Sequence, residues 1–123
     1  MKNLFIPISI ILVLLLVSCS PKTPAIDPAV HELGEKVFQA NCSGCHSLNY
    51  DVVLVGPSML GIADRAANMV EGMDAYTYLE QSILEPSAFL NEGFMDLMPP
   101  TYRQSLTPQE VDAVIQYILI LEK

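Results

Sequence analysis

Apart from one largely apolar run, Leu4 to Val17, the hydrophobic positions of this chain recur every three or four residues, the spacing of helices that bury one face. The first such helix begins after Asp27, a good N-cap, with Pro28 in its first turn and Val30, Leu33, Val37 and Ala40 on its apolar side. A short second helix is expected after Gly56-Pro57, over about Ser58 to Arg65. The third follows Asp74, carries Tyr78, Leu79, Ser82 and Ile83 on one side, and stops before Pro86, because the residue preceding a proline avoids helical dihedrals. In the last, Thr107-Pro108-Gln109-Glu110 is a capping box, and Val111, Val114, Ile115, Ile118 and either Leu119 or Leu121 form the buried stripe. No repeat and no strand pair is visible, although "DVVLV", Asp51 to Val55, would pass for one short strand. The pattern predicts an all-α fold. Four short helices joined by long irregular segments make a poor core, however, unless something large and apolar fills the middle.

The leading run is a different kind of element. It follows a single cation, Lys2, spans 14 residues, contains Pro7, and ends in small residues before Cys19; this is the layout of a secretory signal. Spanning a bilayer takes roughly 20 apolar residues, so an uncleaved anchor fits less well. The ending "LVSC" resembles the bacterial lipoprotein signal, which implies cleavage before Cys19 and a diacylglyceryl thioether on its sulfur. The plainer alternative is an ordinary signal cut a few residues later. Beyond Cys19, Pro21, Pro24 and Pro28 are spaced through "SPKTPAIDP", an extended spacer whose nine residues reach about 28 Å at roughly 3 Å each. The expected organisation is a cleaved signal over 1–18, a tether over 19–27 with an acylated Cys19, and one domain over 28–123. The head would stand on a cell membrane, facing the periplasm or the outside.

Charge narrows the partners. The chain has 14 Asp and Glu against six Lys and Arg, a formal charge of −8. Cleavage would remove Lys2 and no acidic residue, giving −9. Nucleic acid requires clustered cations and is disfavoured.

The candidate chemistry lies in "ANCSGCHSLN", where Cys42, Cys45 and His46 stand together. Two thiols three residues apart on one turn lie on nearly the same side, and the histidine after the second can reach across that face. Cys-x-x-Cys-His therefore reads as c-type haem attachment. Zinc would need a fourth ligand, and the only other histidine, His31, is 11 residues upstream on a helix where solvation is expected. A thioredoxin-like pair would follow a strand rather than a helix, and a disulfide across so small a loop would leave His46 unexplained. A haem iron in an electron carrier takes a sixth ligand, and a methionine thioether raises its potential. Met98 in "LMPP" is stiffened by Pro99 and Pro100, whereas Met95 lacks that fixation and could compete. Met59, Met69 and Met73 suit gap-filling in a core.

With these residues in order, the chain from about Pro28 to Leu121 resembles the class I mono-haem cytochromes c of bacteria, in lipoprotein form. Gly34 and Phe38, Gly56-Pro57 followed by Met59 and Gly61, Met98-Pro99 and Tyr117 also match. The resemblance implies a small all-α fold of about four short helices around one covalently bound haem c, with the first and last helices crossing at Gly34 and Tyr117 and Phe38 beside them. It implies thioethers from Cys42 and Cys45, axial ligation by His46 and Met98, and a Pro57 carbonyl bonded to the other ring nitrogen of His46. Met59 would lie on the proximal side, and Arg65 would either pair with a propionate or be solvated. The activity implied is electron transfer, not catalysis, between respiratory or photosynthetic membrane complexes. An alternative is a fixed haem c subunit of a membrane oxidoreductase such as alternative complex III or a terminal oxidase. The segment from Asn68 to Tyr76 is acidic and methionine-rich and lacks a lysine collar, which departs from the better-known members.

Overall fold

A computed structural model describes residues 26–49 and 52–121. The expectations for the signal, Cys19 and most of the tether lie outside the described residues. What is described is helical: α1 (Pro28–Asn41), α2 (Ile62–Ala66), α3 (Ala75–Leu84), a 3-10 turn (Pro86–Ala88), α4 (Tyr102–Ser105) and α5 (Pro108–Leu119). The all-α expectation is borne out, with five α-helices instead of about four and no strand among the described residues. Val52 to Val55, read as one short strand, form an exposed irregular segment.

The helix starts follow their local chemistry. Asp27 accepts a hydrogen bond from the Ala29 amide at 2.8 Å, and Asp74 accepts one from the Thr77 amide at 3.0 Å. Thr107 and Glu110 form the full capping box, the hydroxyl accepting from the Glu110 amide at 3.2 Å and the carboxylate from the Thr107 amide at 2.8 Å. Each satisfies amides that a helix start leaves without partners.

The second helix begins later than its sequence suggests. Gly61 sits in the left-handed region at φ 65°, and helix geometry starts only at Ile62; Ser58 to Leu60 run irregularly toward the site. A left-handed residue cannot propagate a right-handed helix, and glycine adopts it without a Cβ penalty.

The core forms where α1 crosses α5. Gly34, Val37 and Phe38 are buried on α1, and Val111, Ala113, Val114, Ile115, Tyr117 and Ile118 on α5. A β-carbon on Gly34 would strike the Ala113 backbone and lie 2.6 Å from Tyr117 Cβ, so the crossing distance depends on glycine. Phe38 packs beside it, its ring centroid 5.9 Å from that of Tyr117. Ala40, placed on the apolar side by spacing, is exposed. From α3, Tyr78 and Leu79 complete the core with Met59, Ile62 and Ala66. Ser82 and Ile83, one turn on, are only half-buried because that end of α3 faces a cleft. Among the described residues no helix is long and apolar enough to cross a membrane.

Candidate functional site

The site is assembled from the turn that continues α1. The amide of Cys45 donates to the Cys42 carbonyl at 3.0 Å, and that of His46 to the same carbonyl at 2.9 Å, so both thiols and the imidazole share one turn. The segment around Pro57 is then laced to it. Gly56 N–H donates to the Cys45 carbonyl at 2.9 Å and Met59 N–H to that of Ser47 at 2.8 Å.

These ties set the imidazole. His46 Nδ1 lies 2.8 Å from the Pro57 carbonyl oxygen. A carbonyl can only accept, so this bond places the ring proton on Nδ1 and leaves the Nε2 lone pair available to a metal. Gly56 lets the chain pass directly against the ring, since a β-carbon there would be 2.8 Å from Nδ1 and 3.0 Å from Nε2.

Cys42, Cys45 and His46 line a cleft of about 1110 Å³ of atom-free space counted out to its open mouth. Pro57 and Met59 extend the same wall, while Leu79, Ser82 and Ile83 of α3, then Phe89 and Phe94, enclose it with apolar surface. Met98 enters from the segment before α4. Three properties of this cleft test the haem expectation. Burial, and after it the neighbouring Cys45, push the Cys42 thiol up to about 11, whereas a thiol built for disulfide exchange is acidified. Among the described residues no three His, Cys, Asp or Glu side chains are arranged to share a metal ion, as a zinc site would require. The Ser82 hydroxyl, buried on the wall of the cleft, has no hydrogen-bond partner. Paired thiols, an imidazole with a free Nε2, a thioether and apolar walls fit a flat macrocycle carrying iron. Cys42 and Cys45 would hold its edge, and His46 its metal.

The methionines separate by position. Met98 is half-buried on the cleft; Met95 reaches the same cleft but is 76% exposed. Met59 is 7% exposed within the core. Met73 is half-buried against that core, whereas Met69, expected there too, is exposed because it lies in the turn after α2.

Arg65 is half-buried and attached to the backbone. Its Nη1 donates to the Leu60 carbonyl at 2.7 Å and its Nη2 to the carbonyl of Ser58, bracing the irregular segment that carries Met59. It borders a second recess with Pro57, Tyr78 and Glu92. A guanidinium has more donors than two carbonyls use.

Some placements escaped the sequence reading. Away from the cleft, His31, expected to be solvated, is half-buried and meets the Tyr117 ring edge-on at 5.2 Å. Tyr102 and Asn41, from α4 and the end of α1, line the cleft. A four-residue helix carries no periodicity by which to find it; Tyr102 just after Met98-Pro99-Pro100 was the available signal.

Comparison with known proteins agrees with this geometry. The profile of the family "Cytochrome c" matches residues 31–122. A relative, "Cytochrome c type-1" of Ascaris suum, is 35% identical over 54 residues, which are 44% of this chain and 48% of that protein; the matched region thus spans about half of the relative's length. The chain belongs to the cytochrome c family, and its cofactor is the covalently bound haem c of that family.

Proposed function

We propose that this protein is a membrane-anchored, mono-haem electron carrier of the cell exterior or periplasm, with His46 and Met98 as axial ligands and Cys19 as its lipid anchor. Haem-based electron transfer is the work of its family. When bound, haem c supplies an iron that takes up and releases one electron.

The chain's residues supply the setting. His46 presents Nε2 because Pro57 holds the proton on Nδ1. Met98 is preferred over Met95 because it is half-buried and followed by two prolines, so its sulfur is held at lower entropic cost. The buried faces of Met59, Leu79 and Phe38 exclude water, so little solvent has to reorient when the charge in the cleft changes. Arg65 has donors left for a propionate on the same side as Pro57.

Lipid tethering keeps the head near its donor and acceptor and raises their effective concentration. The partners would be membrane redox proteins, met through brief, small contacts.

The observation that carries this reading is the single apolar cleft that joins Cys42, Cys45, a Pro57-bonded His46 and Met98. Its test starts from protein extracted from membranes with detergent. A pyridine haemochrome spectrum of the c type, with a mass equal to the chain from Cys19 plus one haem and acyl groups, is expected. A mass of polypeptide and lipid alone would overturn it. Met98→Ala should keep haem covalently but turn high-spin, and an unchanged spectrum would move the sixth ligand to Met95. Cys19→Ala should release the protein into the soluble fraction; retention would favour an uncleaved helix or a bound complex.

A further inference from the structure

We infer that Tyr102 is a positioning residue for Met98: its hydroxyl pins the segment following the methionine to the end of α1 that carries the first haem-attachment cysteine. This rests on the reading of Met98 as an axial ligand.

The Tyr102 hydroxyl donates to the Asn41 carbonyl at 2.8 Å, across 61 positions of sequence. Asn41 is the last residue of α1 and precedes Cys42. A carbonyl at a helix C-terminus has no partner within its own helix, so it is a ready acceptor for a group arriving from another segment. On the other side of the tie, only Pro99, Pro100 and Thr101 separate Tyr102 from Met98. Two prolines fix φ twice in that stretch, so a displacement at one end is passed to the other with little slack. Tyr102 and Met98 line the same cleft.

Both ends of the link are anchored. α4 is closed by bonds from the Ser105 amide to the Thr101 carbonyl and from Leu106 to Tyr102, each at 3.0 Å. Arg103, the next residue, pairs with Glu85 at the end of α3 at 2.6 Å. Those two side chains are about half exposed, at 52% and 53%, and ion pairs of that kind contribute little in physiological salt. The tyrosine bond is exposed as well, but it alone ties the segment after Met98 to the residue that precedes Cys42, and the ion pair supplements it. The consequence is a methionine whose sulfur is kept in place by a bond made outside its own loop.

Imidazole titration of the ferric full-length holoprotein tests this. An imidazole nitrogen bonds to the iron as the Met98 thioether leaves, with no change of oxidation state, and loss of the thioether-to-iron charge-transfer absorption reports the exchange. Tyr102→Phe keeps the ring and removes only the hydroxyl. It should raise imidazole affinity about five-fold, as loss of one hydrogen bond that favours the thioether-bound form allows, and shift the proton resonance of the methionine methyl in the ferrous protein. Tyr76→Phe is the control, because it also removes one phenol hydroxyl and its bond, here to the Asp112 carboxylate at 2.8 Å, away from the cleft; it should leave imidazole affinity and the methyl resonance as in the parent. Equal responses from the two variants would overturn the inference. Met98→Ala run alongside separates the underlying reading, since an absorption that survives it refutes Met98 as ligand whatever Tyr102 does. Should Tyr102→Phe fail to accumulate, Tyr102→Leu, which also removes the hydroxyl, carries the test: a rise in imidazole affinity of about five-fold or more supports the inference, and an unchanged affinity overturns it.

Discussion

At the scale of single residues the site depends on one absent side chain. Gly56 faces the His46 ring so closely that a β-carbon would lie 2.8 Å from Nδ1, and the ring cannot swing away without breaking its bond to Pro57. Gly56→Ala should therefore keep haem attached through Cys42 and Cys45 but disturb the imidazole. The expected outcome is a loss of stability of about 1–3 kcal/mol, typical of overpacking, read by thermal melting, with a high-spin fraction in the ferric spectrum. An unchanged spectrum and melting point would show that the ring has room. Cys42, Cys45 and His46 were legible in the sequence because their chemistry is local, compressed into one turn. The tie from Tyr102 to Asn41 was not, since nothing at either position signals a partner 61 residues away. His31 misled for the same reason: a polar residue on a helix reads as solvated until the helix crossing it is known to place Tyr117 against it.

Among the elements, the crossing of α1 and α5 invites a test whose sign is informative. Replacing glycine by alanine inside a helix ordinarily stabilises it by roughly 0.5–1 kcal/mol. At Gly34 the new carbon would meet the Ala113 backbone and Tyr117 Cβ, and backbone cannot move aside as a side-chain tip can. Gly34→Ala should lower the melting temperature, by several degrees for about 1–3 kcal/mol in a domain of this size; a rise would show that the helices separate freely. A second contact, between α3 and α5, responds to pH. The Tyr76 hydroxyl donates to Asp112, and burial first, then that bond and the charges of Asp112 and Glu80, push it from 10.0 up to about 12. The folded state holds this proton more tightly than the unfolded chain, so the stabilisation is complete below about pH 10 and is lost as pH rises toward about 12. Tyr102 and Tyr117 are also raised, mainly by burial. Tyr76→Phe should thus reduce, and not abolish, the loss of stability measured by denaturation across that range. Capped helices were legible at this scale: Asp27, Asp74 and Thr107 each start a helix where the sequence says it should. What failed were elements decided by geometry alone. Gly61 moved the start of α2 by its left-handed turn, and the 3-10 turn and α4 are too short to show a period.

Over the whole molecule, sign of charge decides what can approach the cleft. Acidic residues outnumber basic ones 14 to six, and the described cations are engaged, Lys36 with Glu32, Arg103 with Glu85 and Arg65 with two carbonyls. Two of these three cations are thus paired with carboxylates at short range, while the excess of carboxylates is left to set the long-range field. Such a field reaches about 30 Å at 0.01 M salt and about 8 Å at 0.15 M, and it changes encounter rates more than it changes affinity. Small inorganic oxidants isolate this effect because they bring charge without a protein surface. The ferrous holoprotein should be oxidised faster by a tripositive cobalt phenanthroline complex at low salt, and that rate should fall on the order of ten-fold as salt is raised to physiological strength. Ferricyanide, an anion, should show the opposite slope. Stopped-flow mixing at several ionic strengths gives both slopes directly. Parallel slopes for the two reagents would mean that the electron leaves through a part of the surface where the carboxylates do not dominate.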